Sequence, residues 1–143
     1  MICIIDDVLY YRSTDGFIKH VGEDDERGTL LTPILNRILL LLIEKQGEVI
    51  TKNDFIESVW EKHGLEGSTN TLTQYISHLR KILGEYFDVS EYIVTIPRTG
   101  YSLTTDLKIH KVEEVNSGLE QKMCLIFLQF IHGATTLSLA EYY

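Results

Sequence analysis

The 143-residue chain has two cysteines, two prolines, two methionines, one tryptophan and fewer cations than anions, with 13 Lys/Arg against 21 Asp/Glu. Each scarcity excludes something. Cys3 and Cys124 lie at opposite ends with no metal-type spacing, so neither a disulfide framework nor a thiolate metal site is expected, only reduced, buried thiols. No basic segment followed by an apolar one opens the chain, so no secretory signal is expected. A glycine-rich phosphate loop, a nucleophile elbow and a paired-histidine metal motif are all missing, so the chain is not expected to be an enzyme or to hold a cofactor or metal. A formal net charge of -8 argues against tight, indiscriminate binding to polyanions, whose field would repel it.

What is present belongs to a folded domain: 44% apolar and 24% charged residues. The acids are uneven. Residues 1–29 carry three Lys/Arg and seven Asp/Glu, including the run Glu23-Asp24-Asp25-Glu26, whereas residues 30–105 carry seven and nine. Short β-rich runs with turn signals fill residues 1–31 and predict a small antiparallel sheet. Three helices are expected over 32–84. Thr32-Pro33 starts the first, as N-cap and first-turn proline, and Lys45 and Gly47 end it. Thr51 caps the second, with Asp54 at the third position, and His63-Gly64 stops it. The third runs over 69–83, buries Leu72, Ile76, Leu79 and Leu83, and stops at Gly84. Tyr92 to Thr104, broken by Pro-Arg-Thr-Gly, predicts a β-hairpin.

Strands, three helices and a hairpin make an α+β winged helix-turn-helix, a layout in which the last helix can enter the major groove of DNA. That helix carries Gln74, Ser77, His78, Arg80 and Lys81 on its polar side and no acid before Glu85. A glutamine can pair with adenine, and arginine or lysine with guanine or phosphate. The bland alternative is the solvated side of an ordinary amphipathic helix.

From Leu31 to Leu103 the chain resembles the OmpR/PhoB-type winged-helix domain. The resemblance rests on Leu-Thr-Pro before the first helix, Gly-Glu-Val-Ile-Thr between helices, and Val-Trp ending the second. It continues with Leu-Thr-Gln-x-Ile-Ser-x-Leu-Arg-Lys in the third and Thr-Ile-Pro-x-x-Gly-Tyr in the wing. The Leu-Thr-Gln and Thr-Ile-Pro variants look most like the ToxR/CadC branch, whose members lack a phosphoacceptor receiver domain. With about 30 residues ahead of the first helix, phosphorylation of this chain's own receiver is not expected.

The resemblance implies a bacterial, cytoplasmic and nucleoid-associated transcription regulator bound to double-stranded DNA. It implies groove-facing or phosphate-facing roles for Asn70, Thr71, Thr73, Gln74, Tyr75, Ser77, His78, Arg80 and Lys81, and wing contacts at Thr95, Arg98 and Thr99. It also implies that the 63–68 loop could meet RNA polymerase. Ser77 and His78 stand where several family members carry arginine.

The domain is expected to span 1–105, with sheet 1–31, helices 32–84 and wing 92–104, followed by an extension over 106–143. Within that extension residues 123–140, MCLIFLQFIHGATTLSLA, hold no charge. Eighteen uncharged residues lie at the lower edge of a membrane span. Gln129, His132 and Gly133 argue instead for a helix packing on the domain or on a second copy through 119–143, with membrane contact or tethering as the alternative. A rival function follows from the acidity and the apolar tail: a winged helix kept for protein contact, without strong DNA binding.

Overall fold

The computed structural model describes residues 1–87 and 92–112, so the expected tail helix lies outside the described residues. Strands β1 (Ile2–Ile5), β2 (Leu9–Arg12), β3 (Phe17–His20) and β4 (Thr29–Leu30) precede helix α1 (Pro33–Glu44). Then come β5 (Ile50–Thr51), α2 (Lys52–Val59), α3 (Thr69–Leu83), β6 (Ile93–Ile96), β7 (Gly100–Leu103) and β8 (Ile109–Val112). The strands form two antiparallel sheets, ordered β4-β3-β2-β1-β8 and β5-β7-β6. The α+β winged-helix architecture expected from the sequence is the one observed. Among the described residues, no helix is long and apolar enough to cross a membrane.

Each helix begins where a hydroxyl can satisfy an orphan backbone donor. Thr32 accepts from Leu35 N, Thr51 from Asp54 N at 3.1 Å, and Ser68 from Thr71 N at 3.2 Å. The ends are equally local: Gly47, at φ +84°, turns the chain out of α1. The second helix stops at Val59, earlier than the expected His63-Gly64. A 3-10 turn over Glu61–His63 takes the intervening residues, and Gly64 at φ 73° closes that turn.

The main core lies between the helices and one face of the five-stranded sheet. Cys3, Ile5, Leu9, Tyr11 and Ile18 from the sheet meet Leu35, Ile38, Leu39, Leu42, Phe55, Leu72, Ile76 and Leu79. Burial raises the Cys3 thiol pKa, and Cys3 is unbridged, as expected. Tyr11 OH donates to Asn36 Oδ1 and Asn36 Nδ2 donates to Ser13 O at 2.9 Å, pinning α1 to the sheet.

Two strands depart from the expected layout. β5 pairs with β7 (Ile50↔Tyr101, Thr51↔Gly100), so the hairpin is the outer part of a three-stranded unit. β8 pairs along the whole of β1 (Ile2↔Val112 through Ile5↔Ile109), so the sheet continues past the expected break at residue 105. Gln46 Nε2 holds the connection, donating to Thr104 O at 2.8 Å and Leu107 O at 2.7 Å.

Candidate nucleic-acid interface

α3 is built from two stripes set two residues apart, which is roughly 200° around a helix. Leu72, Ile76, Leu79 and Leu83 are buried, at most 1% exposed, and fix the helix against α1 and α2. Asn70, Gln74, Ser77 and Lys81 repeat the same i, i+4, i+7, i+11 spacing on the opposite side, and all four are exposed. Thr73 and His78 widen that stripe and are exposed too. No residue from Thr69 to Leu83 is acidic. The outer surface is therefore amide, hydroxyl, imidazole and ammonium, carried on a helix roughly 22 Å long.

The remaining sequence-predicted residues of α3 are engaged inside the domain. Tyr75 is half-buried with its ring edge-on to Trp60, centroids 5.9 Å apart, on the side facing α2. Thr71 is half-buried in the first turn, with its Oγ1 2.9 Å from Ser68 Oγ. Arg80 turns toward the wing: its Nη2 donates to Ile93 O at 2.7 Å and to Thr95 Oγ1 at 2.8 Å. The guanidinium carbon stands 5.9 Å from the centre of the Tyr101 ring. Tyr92 OH donates back to Arg80 O, and burial pushes the Tyr92 phenol pKa up. Of the two helix cations expected at a groove, Lys81 is presented and Arg80 is a brace between helix and wing.

Tyr92 and Tyr101, neither of them a site residue expected from the sequence, make this brace. Tyr101 is buried with its ring edge-on to Phe55, and its hydroxyl lies 3.5 Å from Thr73 Oγ1. The available signal was an aromatic at each wing strand, too common in strands to assign a role.

The wing tip is a tight turn over Ile96-Pro97-Arg98-Thr99, closed by Thr99 N to Ile96 O at 3.1 Å. Proline at its second position and φ 64° at Arg98 give it the form of a type II turn. Glycine or asparagine usually fills that third position, since an L side chain there costs on the order of 1–2 kcal/mol. Arg98 is exposed, as are Thr95 and Thr99. Lys52 N donates to Thr99 O at 3.0 Å, joining the start of α2 to the wing tip. A Cβ on Gly100 would lie 1.9 Å from Ile50 O, so β7 can approach β5 only as glycine.

The wing and the α3 stripe thus form one braced unit. Among the described residues, neither Lys81 nor Arg98 is held in an ion pair. The cations with recorded carboxylate partners, Arg12 on Asp15 (2.6 Å) and Lys19 on Asp25 (2.7 Å), both belong to the N-terminal sheet. An α-helix with hydrogen-bonding side chains on one exposed stripe has the width to enter a major groove, and a hairpin with a cation at its tip suits phosphate. The loop between α2 and α3 folds with Gly67 against the Trp60 ring and leaves Leu65 exposed.

Residues 25–103 match the family model described as "Transcriptional regulatory protein, C terminal". The chain is 39% identical over 92 residues to the cholera toxin transcriptional activator of Vibrio cholerae, covering 64% of this chain and 31% of that protein. It is 33% identical over 110 residues to the uncharacterized protein YqeI of Escherichia coli, covering 76% and 40%. Among solved structures, the DNA-binding domain of Escherichia coli CadC superposes with a TM-score of 0.60 at 25% identity, covering 75% of this chain and 96% of that one. The chain therefore spans less than half the length of the two full-length relatives.

Proposed function

Since the chain belongs to the OmpR/PhoB-type family of transcriptional regulatory protein C-terminal domains, we propose that it is a sequence-specific, double-stranded DNA-binding regulator of transcription. In this reading α3 lies in the major groove and the wing tip rests on the backbone or in the minor groove. The observation that carries it is the exposed stripe Asn70, Gln74, Ser77 and Lys81, free of carboxylates in a protein of net charge -8. Gln74 is the base reader, able to donate to and accept from an adenine edge. Asn70, Thr73, Ser77 and His78 supply shorter donors along the same helix. Lys81 and Arg98 neutralise phosphates at its far end and at the wing tip. Arg80, Thr95 and Tyr101 fix the angle between helix and wing, so that both reach the duplex together. The loop at 63–68, with Leu65 outward, is the surface on which RNA polymerase would be met.

Selection from a random duplex library, followed by anisotropy titrations on the selected site, tests this reading. Gln74→Ala should relax preference at one base pair, worth about 1–3 kcal/mol of discrimination. Lys81→Ala should weaken all sequences alike. If the library yields no enriched sequence and no binding is seen at ~50 mM salt, where electrostatic attraction is strongest, the DNA reading fails. The protein-contact reading would then take its place.

A further inference from the structure

α3 has one flank on the wing and another on the side of α2. Residues two apart on a helix stand roughly 200° around the axis, so His78 and Arg80 leave α3 on opposite flanks. Arg80 goes to the wing, where its Nη2 donates to Ile93 O and Thr95 Oγ1. His78 follows Tyr75 by three residues and so lies roughly 60° from it, toward the side on which Tyr75 meets Trp60. The His78 ring is exposed, and Gln74 and Lys81 run between the two flanks. Among the described residues it makes no hydrogen bond, ion pair or ring contact.

The charges around it leave it open to an anion. On α3 the neighbour one turn on is Lys81. Glu85, seven residues on, lies past the helix end, roughly 10 Å along the axis and about one Debye length away in ordinary buffer. From α2 and the loop after it come the exposed Glu57, Glu61, Lys62, His63 and Glu66, none of them bonded to the ring. On α1, Arg37 is bonded to Val59 O and Glu44 lies toward Tyr11. The wing strands and their turn add one further charge, Arg98 at the tip.

A helix seated in a major groove has a phosphate backbone on either side of it. With the wing and Arg98 on one backbone, His78 is on the side of the other. We propose, resting on the DNA-binding reading, that His78 is a titratable phosphate contact on the flank away from the wing, and that its protonation tightens duplex binding. An imidazole ordinarily changes charge near pH 6.5. Neutral, it offers one N–H; protonated, it offers two and a full charge. That charge joins Lys81 and Arg98 as a third cation on the interface. A ring beside a phosphate holds its proton more tightly than a free one, so binding takes up a proton. Affinity therefore rises as pH falls through the imidazole range and levels off below it.

The test titrates the full chain by anisotropy onto the library-selected duplex, at about pH 6 and about pH 8, each over ~50 to ~200 mM salt. At the lower pH the affinity should be about fivefold higher, as a phosphate that favours the charged ring by about one pKa unit requires. The slope of log affinity against log salt should be steeper there by roughly 0.9. His78→Gln should keep the weaker affinity and shallower slope at both pH values, and His78→Arg the tighter affinity and steeper slope at both. His110→Gln, on β8, should respond as the parent does. A parent that binds alike at both pH values overturns the proposal and leaves the DNA-binding reading standing. So does a His78→Gln variant that keeps the response, or a His110→Gln variant that loses it. Absence of binding at either pH removes both readings together.

Discussion

Two hairpin tips in this molecule share a backbone device and differ in charge. Between β1 and β2 the turn Ile5-Asp6-Asp7-Val8 is closed by Val8 N to Ile5 O at 3.1 Å, with Asp6 and Asp7 at φ 54° and 59°. That is the type I′ form, normally filled by asparagine and glycine. At the wing tip Arg98 holds φ 64°. Both tips keep a charged side chain where glycine would fit without strain, the first acidic and the second basic. Near the N-terminal sheet Arg12 and Lys19 are bonded to Asp15 and Asp25, whereas Lys81 and Arg98 are in no ion pair among the described residues. The acidic run Glu23-Asp24-Asp25-Glu26 also lies beside that sheet, whereas α3 carries no acid from Thr69 to Leu83. In the DNA-binding reading, such a distribution would favour approach to the polyanion with α3 and the wing foremost.

The comparison breaks most severely at Gly100. Gly100→Val sets side-chain atoms into Ile50 O and should part β7 from β5, costing about 3 kcal/mol or more in urea unfolding. DNA affinity should fall with it. Next comes the basic tip. Arg98→Ala should lower the slope of log affinity against log salt by roughly 0.9, and Lys81→Ala by a similar amount. Arg98→Gly should do the same while raising unfolding stability by about 1 kcal/mol, since it removes the strained φ. If Arg98→Gly leaves stability unchanged, the strain assigned to the wing tip is absent.

The acidic tip gives the mirror result. Replacing Asp6-Asp7 by Asn-Gly should stabilise by about 1 kcal/mol and leave base preference untouched, as measured by thermal melts and the library-selected duplex. The smallest effect concerns Asp15, whose carboxyl is held below its ordinary value of 3.8 chiefly by the hydrogen bond from Arg12. A depressed folded pKa means its contribution is complete above the unfolded value and is lost as pH falls below about 4 toward the folded one. The pair is surface-exposed, so Asp15→Asn should cost only a few tenths of a kcal/mol at neutral pH, and less as the pH falls below about 4.

The helices were legible in the sequence because their signals are local. Thr32, Thr51 and Ser68 each bond an amide three residues on, and apolar spacing picks out the buried stripe of α3. β5 and β8 were not legible. The first has two residues, and the second, Ile-His-Lys-Val, is half polar; each becomes a strand only by pairing with a partner far along the chain. Within the site, the exposed stripe could be read from periodicity, but Arg80 and Tyr75 could not. Both lie at the borders between the buried and open sides, where a long side chain goes toward whichever neighbour completes its bonds. Thr95 and Ile93 decide that for Arg80, and Trp60 for Tyr75.

The β1–β8 ladder has a consequence for how the chain comes into being. Ile2 and Val112 are paired although 110 positions separate them, so β1 must wait for β8 long after β2 has been made. Non-local pairing of this kind closes late and slows folding. Until then the bare edge of Ile-Cys-Ile-Ile is a template for intermolecular pairing, and a fragment ending at residue 105 should retain that hazard permanently. Such a fragment keeps the helices and the wing, yet it should be harder to hold in solution than a longer one.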